Sequence, residues 1–413
     1  MLADIGKRAK SASLQLGRIS TEFKNEALHK MAASLDVSKS KILSANAEDV
    51  EAAKKRGMKP ALVDRLALDE RKLKGMASCL REVADLTDPI GTVVSTSIRP
   101  NGLIIGQMRV PLGVVGVIYE SRPDVTSDAA GICLKSGNAI ILKGGSYAIN
   151  SNVAIVDAFK SALSDTKVPS DAIQIVNSSD RSVTERLMQM REYVDVLIPR
   201  GGADLIRTVV EKASIPVIET GTGNCHIYVE DDADLEKAVR IVINAKCQRP
   251  GTCNAAEKLL VNSNVAESFL PKVIGALRRE GVEVRADEQT SRIVPDVKLA
   301  TEEDWYTEYL DLIIGVKVVR DIDEAIAHVN KYSSKHSESI LTEDFEKAMK
   351  FIREVDSAAV YWNASTRFTD GNQFGLGAEI GVSTQKLHAR GPMSVQHLTT
   401  TKYFVFGNGQ TRG

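Results

Sequence analysis

From Pro111 onward, unbroken apolar runs alternate with amphipathic segments, and this rhythm constrains the possible folds of the chain more than any other feature. Gly113-Val-Val-Gly-Val-Ile-Tyr119 and Ala139-Ile-Ile-Leu-Lys143 are too uniformly apolar for strands with one wet face and too short for independent helices. Between them, residues 127–135 are amphipathic and Ser136-Gly137-Asn138 is a stop signal. The pattern continues with helices expected over 152–163, 182–190 and 204–212 and strands over 173–176 and 194–198. Such alternation predicts βαβ units and a parallel sheet covered on both faces. It restarts at Ile227, with helices expected over 234–247, 266–279 and 322–328 and strands over 258–261, 282–285, 310–319 and 358–363. At 413 residues the chain exceeds the size at which one core keeps growing, so at least two domains are expected.

Residues 1–85 read as helices, with Phe23, Ala27, Met31 and Leu35 on one face and Leu62, Leu66, Leu73, Met76 and Leu80 on another. Two β-rich runs then flank Asn101-Gly102, a hairpin signal that predicts a type I′ turn with positive φ at both central residues. A final strand over 401–406 is expected either to return to the core or to pair with another subunit.

Charge and cysteine usage narrow the function. Lys plus Arg (53) nearly balance Asp plus Glu (54), which argues against nucleic acid and anionic membranes and for a small-molecule ligand. The five cysteines are odd in number and form no C-x-x-C pair, arguing against a disulfide framework and a zinc site and for a reducing cytoplasm. No stretch has the apolar length of a secretory signal or a membrane span.

Three polar clusters fall at the carboxyl ends of expected strands: Lys143-Gly-Gly-Ser146, Arg200-Gly-Gly202 and Glu219-Thr-Gly-Thr-Gly-Asn224. Glycines there let backbone N–H groups approach a phosphate, but each cluster alone also fits an ordinary turn. Their succession along one sheet favours a dinucleotide site. The stretch Cys247-Gln-Arg-Pro-Gly-Thr-Cys253-Asn254 places a thiol after a bend, with Arg249 close by. Cys253 fits an activated nucleophile, but on local sequence alone a small buried hydrophobe is the commoner case.

Longer motifs decide between these readings. Pro111-Leu-Gly-Val-Val-Gly-Val-Ile-Tyr-Glu-Ser-Arg-Pro123, Ser136-Gly-Asn-Ala-Ile-Ile-Leu-Lys143, Leu197-Ile-Pro-Arg-Gly-Gly202, Asn244-Ala-Lys-Cys-Gln-Arg-Pro-Gly-Thr-Cys-Asn254 and Ala364-Ser-Thr-Arg-Phe-Thr-Asp-Gly-Asn-Gln-Phe-Gly-Leu-Gly-Ala-Glu379 together resemble the aldehyde dehydrogenase superfamily. Ser383-Thr-Gln-Lys-Leu-His-Ala-Arg-Gly-Pro392 is similar to a tail signature of its branch that reduces an acyl phosphate, L-glutamyl 5-phosphate. The resemblance implies an aldehyde dehydrogenase-like α/β fold. Residues 1–91 and 111–224 would form a Rossmann-type parallel-sheet cofactor domain, and 225–380 a second, catalytic α/β domain. The 92–110 hairpin and the 381–413 tail would form a small β element for oligomerisation.

The same resemblance implies roles for individual residues. Cys253 would attack the γ-carbonyl, forming a thioester that hydride from NADPH reduces to glutamate 5-semialdehyde, a step of proline biosynthesis. The Cys253 N–H would face the oxyanion, while Ser121 stands where many relatives carry a second, asparagine donor. Lys143 and Ser146 would meet the adenosine ribose; with no carboxylate at 146, NADP(H) is favoured over NAD. Gly201 and Gly202 match the pyrophosphate turn, and Glu308 the holder of the nicotinamide ribose. Glu219, 34 residues before Cys253, takes the place of the hydrolytic enzymes' base; an acyl phosphate reductase has no use for one, so a positional role near the cofactor is expected. Arg122, Arg249 and Arg367 are candidates for substrate carboxylate and phosphate, and Asp124 or Asp370 for the ammonium. His226 and His388 are expected to be structural. A homodimer or homotetramer is expected, and the lability of glutamyl phosphate makes glutamate 5-kinase a transient partner to expect.

Overall fold

The computed structural model describes residues 1–58 and 60–412; Lys59 and Gly413, in the expected first domain and tail, lie outside the described residues. The chain divides into two compact units, one of Met1–Glu219, Gly375–Gly381 and Met393 onward, the other of Thr220–Phe374 and Val382–Pro392.

The first unit opens with helices α1 (Leu2–Leu16), α2 (Thr21–Val37), α3 (Lys39–Lys55), α4 (Pro60–Leu66) and α5 (Glu70–Asp85). Ala27, Met31 and Leu35 of α2 and Leu73, Met76 and Leu80 of α5 are buried, as their three-and-four spacing requires. Phe23 and Leu62, assigned to the same faces by spacing, are instead exposed. Gly75 sits inside α5 with nothing within 4 Å of where a Cβ would project. Gly75→Ala is therefore expected to stabilise the protein by about 0.5–1 kcal/mol, read as a higher urea midpoint at unchanged slope.

Strands β1 (Val93–Ile98) and β2 (Ile104–Pro111) form an antiparallel hairpin. Its turn differs from the type I′ expectation. The Gly102 N–H donates to the Arg99 carbonyl at 2.9 Å and the Arg99 N–H to the Leu103 carbonyl at 2.8 Å. Gly102 has φ 85°, while Asn101 is not among the positive-φ residues. Proline fixes a negative φ, so Pro100 enters the loop and shifts the turn by one residue, giving a three-residue connection that ends in glycine.

Next come β3 (Val114–Tyr119), α6 (Pro123–Lys135), β4 (Ala139–Gly144), α7 (Ile149–Leu163), β5 (Ile173–Ile175), α8 (Arg181–Leu187), β6 (Val196–Arg200) and α9 (Ala203–Lys212). The strands form a parallel sheet in the order β5-β4-β3-β6, with β3 buried along its whole length. Strand order reverses at β3, so the crevice beyond the ends of β3 and β6 is where an open α/β sheet takes a ligand.

The second unit runs β7 (Cys225–Val229), α10 (Leu235–Cys247), β8 (Ala256–Asn262), α11 (Ser263–Arg279), β9 (Glu283–Ala286), α12 (Glu288–Ile293), β10 (Lys298–Leu299), α13 (Glu302–Tyr306), β11 (Ile313–Val319), α14 (Ile322–Tyr332), β12 (Ser337–Leu341), α15 (Phe345–Glu354) and β13 (Ala359–Trp362). Its parallel sheet has the order β10-β9-β11-β8-β7-β12-β13. Asp234, Asp287, Asp321 and Asp344 each accept first-turn N–H groups and so begin α10, α12, α14 and α15. Ile227, Leu259, Val261, Phe269, Leu270 and Val316 belong to the core of this unit.

Two short strands, β14 (Gly381–Ser383) and β15 (Gly391–Met393), pair with each other, and β16 (Thr399–Phe406) completes the chain's strands. β16 pairs antiparallel with β2, setting Lys402 opposite Met108, so the terminal strand returns to the hairpin of its own chain. Among the described residues, no helix is long and apolar enough to cross a membrane.

Candidate active site

The expected site residues fall in both units. In the first unit, the β3–β6 crevice carries the glycine turn. The Glu120 N–H donates to the Arg200 carbonyl at 3.0 Å, and the Glu120 carboxylate accepts the Gly202 N–H at 3.1 Å. A Cβ on Gly201 would lie 2.6 Å from the Glu120 carboxyl carbon. The N-terminus of α9 thus holds an anion, in keeping with its dipole and unsatisfied N–H groups. Lys143, at the end of β4, is buried; its Nζ donates to the Gly144 carbonyl at 2.9 Å, and burial lowers its pKa. Ser146 is exposed and opens the turn into α7. Ser121 is half-buried and Arg122 exposed in the β3–α6 connection. Exposed Asp124 follows on α6, and Glu219 ends the unit's main segment, half-buried.

In the second unit, Cys253 lies between α10 and β8 on a bend closed by the Thr252 N–H donating to the Arg249 carbonyl at 3.3 Å. Its thiol residue is half-buried. The loop is held from three sides. Asn254 Nδ2 donates to the Thr369 carbonyl at 3.0 Å, and Thr366 Oγ1 donates to the Asn254 carbonyl at 2.7 Å. The Cys225 thiol donates to the Cys253 carbonyl at 3.1 Å, and burial keeps that thiol protonated by raising its pKa. Gly223 lies flush on Cys253: an added Cβ would sit 1.4 Å from the Cys253 carbonyl oxygen.

Arg367 is brought to the loop of this thiol, near Arg249. The Arg367 guanidinium donates to Gln248 Oε1 at 2.9 Å and also bonds Asn254 Oδ1. Its pKa is lowered by burial and by Arg249, against the opposing pull of Cys253 and Asp370. Two guanidinium groups close to one another suit an anionic substrate. Asp370 accepts the Asn372 and Gln373 N–H groups at 3.0 and 3.2 Å, which ties its carboxylate to its own turn. Glu308 accepts the Gly223 N–H at 2.6 Å, and burial raises its pKa.

His226 is buried, with Nδ1 2.9 Å from the Asn224 carbonyl and a pKa pushed down to about 3 by burial and Lys258. A neutral, enclosed imidazole of this kind is structural. His388 is exposed at φ 68°. Residues without a role in the sequence reading now enter the site: Glu120 on the glycine turn, Cys225 and Asn254 on the thiol loop, and Glu257 and Lys258 behind it. The available signal for the last two was a pair of charges inside the apolar run Ala256-Glu-Lys-Leu-Leu-Val261.

Known proteins agree with this architecture. The model of the aldehyde dehydrogenase family matches residues 3–300 and 305–403. A gamma-glutamyl phosphate reductase of Carboxydothermus hydrogenoformans is 58% identical over 99% of both chains, and one of Dictyoglomus thermophilum is 56% identical over 98% of both. The crystal structure of gamma-glutamyl phosphate reductase from Thermotoga maritima superposes with a TM-score of 0.97 at 53% identity, covering 100% of each chain. A thiol loop, a glycine-lined crevice and full-length relatives of one kind make the chain an oxidoreductase that belongs to the aldehyde dehydrogenase family, in its gamma-glutamyl phosphate reductase branch.

Proposed function

We propose that the chain reduces L-glutamyl 5-phosphate to L-glutamate 5-semialdehyde with NADPH, releasing phosphate, as a step of proline biosynthesis. The observation that carries this reading is the Cys253 loop, with Arg249 and Arg367 beside it, in a chain whose relatives share the reductase name over their whole length. The Cys253 thiolate adds to the γ-carbonyl, and the C–O bond breaks as phosphate departs with the electron pair, leaving a thioester. The guanidinium groups of Arg249 and Arg367 balance the phosphate and α-carboxylate charges during attack. The reduced nicotinamide, when bound, supplies the hydride that the thioester carbonyl accepts. Collapse of the resulting oxyanion breaks the C–S bond, returning the thiolate and the aldehyde, and one proton is taken up for each phosphate released.

Lys143, Ser146, Gly201 and Gly202 are the residues to hold the dinucleotide in the first unit, and Glu219 and Glu308 its nicotinamide half. The first unit fits a phosphate-bearing ligand because the Gly202 N–H already donates to an anion, the carboxylate of Glu120. A buried lysine and no acidic side chain at 146 favour a 2′-phosphate. Ser121 and Arg122 belong to the substrate side of the proposal. The three-stranded sheet β1-β2-β16, with its outer strands largely exposed, is the proposed oligomerisation element, glutamate 5-kinase the proposed transient partner, and a reducing cytoplasm the proposed setting for five free cysteines.

The reverse reaction tests substrate, cofactor and phosphate together. With pyrroline-5-carboxylate as the source of semialdehyde, NADPH formation is expected only when phosphate is present, at a rate at least about tenfold above NADH formation from NAD. Equal rates without phosphate would identify a hydrolytic aldehyde oxidation and end the acyl phosphate assignment.

A further inference from the structure

Strand β8 starts three residues after the thiol and buries two charged side chains, Glu257 and Lys258, in an otherwise apolar run. Burying a charge costs several kcal/mol unless it is paired and hydrogen-bonded, so the partners reveal what the charges hold. Lys258 Nζ donates to Asn224 Oδ1 at 2.8 Å and to the Thr307 carbonyl at 2.7 Å, with the Tyr309 ring 4.5 Å away. Glu257 accepts the Leu310 N–H at 3.2 Å and the ammonium of Lys246 at 3.1 Å. Two successive residues of one strand thus grip both ends of segment 307–310.

Inside that segment is Glu308, whose carboxylate accepts the Gly223 N–H at 2.6 Å. Gly223 adjoins Asn224, the other acceptor of Lys258, so the contacts close a ring: Lys258, Thr307, Glu308, Gly223, Asn224 and back. Leu310, at the far end, has φ 55°, a conformation costly for leucine and held by the bond to Glu257. On β11, Gly315 stands opposite Lys258, and a Cβ there would lie 2.8 Å from the lysine Cδ. The sheet leaves room for this stem. Burial lowers the pKa of Lys258 and raises that of Glu257; the carboxylate of Glu257 supports the Lys258 ammonium, and Lys246 and Lys258 together support the carboxylate.

We propose that Lys258 and Glu257 are positioning residues that set the placement of the Glu308 carboxylate, and through it the affinity for the cofactor ribose. This rests on the reading of Glu308 as a cofactor-holding residue. Lys258→Met keeps the stem and removes the donor; the Thr307 carbonyl and Asn224 then lose their common anchor, and Glu308 loses its fixed position while Cys253 keeps its own supports.

NADPH dissociation constants and steady-state kinetics of wild type, K258M, E308Q and the double variant decide the matter. K258M is expected to raise the NADPH Kd and KM about tenfold while kcat at saturating NADPH falls less than threefold. In the E308Q background the same substitution is expected to add less than twofold, because neighbours acting through one group are not additive. E257Q, which keeps an acceptor for Leu310, is expected to retain tighter NADPH binding than E257L. If K258M does not fold, Lys258→Arg, with its different donor geometry, is measured against the same expectation. Unchanged NADPH affinity in K258M alongside weakened affinity in E308Q, or full additivity of the two, overturns the positioning role and leaves Glu308 in place. Wild-type affinity in E308Q overturns both.

Discussion

Cys253→Ser is expected to lower kcat for the phosphate-dependent oxidation of glutamate semialdehyde by about 10³-fold or more, some 4 kcal/mol in the barrier, while NADPH still binds within about twofold of wild type. The substitution is nearly isosteric and leaves every backbone contact of the loop in place: the Cys225 thiol on the Cys253 carbonyl and Asn254 on the Thr369 carbonyl. Only the proposed nucleophile changes, from a thiol that ionises within reach of neutral pH to a hydroxyl that does not. Cys247→Ser is the matched control. Cys247 packs against the core of the second unit, and burial and Glu280 raise its pKa, which disfavours the thiolate. Stopped-flow and steady-state assays of both variants measure the difference; a Cys253→Ser enzyme that turns over normally would remove Cys253 from the chemistry altogether.

Why the sheets were legible while the support of the site was not follows from the forces involved. A parallel strand buried on both faces must be apolar throughout, as Val114–Tyr119 and Ala139–Gly144 are, and such runs announce themselves in one dimension. Strand Ser337–Leu341 is equally buried but escaped that reading, because its Glu338 and Ser339 are satisfied by distant groups: the His226 N–H for one, the Ala364 carbonyl for the other. The same holds for the thiol. Cys253 and Arg249 are near neighbours in a motif, so local sequence brings them together; Arg367, more than a hundred residues away, is joined to them through Asn254. Glu257 and Lys258 open a strand of otherwise apolar residues, and only the fold reveals that Thr307, Leu310 and Asn224 are their partners. The hairpin turn failed for a local reason, the fixed φ of Pro100, which a fuller reading of four residues instead of two would have caught.

The second large effect is expected at Gly223, which has no chemistry of its own. A Cβ added there would lie 1.4 Å from the Cys253 carbonyl oxygen, 2.2 Å from its carbon and 2.6 Å from its Cα. All three are backbone atoms, so no rotamer change relieves the overlap, and Gly223→Ala must push the nucleophile loop away by more than an ångström. A displacement of that size at a reacting centre costs about 10²-fold in rate, and the overpacking costs about 1–3 kcal/mol of stability. Gly223 also donates its N–H to Glu308, so the variant is expected to weaken NADPH binding as well, an effect absent from Cys253→Ser. Measuring kcat, NADPH affinity and the urea midpoint together separates the two: loss of rate with affinity intact marks the proposed nucleophile, and loss of both marks the backbone that joins it to Glu308, the proposed cofactor support. Wild-type kcat in Gly223→Ala would mean that Gly223 and Cys253 part during turnover, so that the close backbone approach belongs to the resting protein and the thiol reacts from another position.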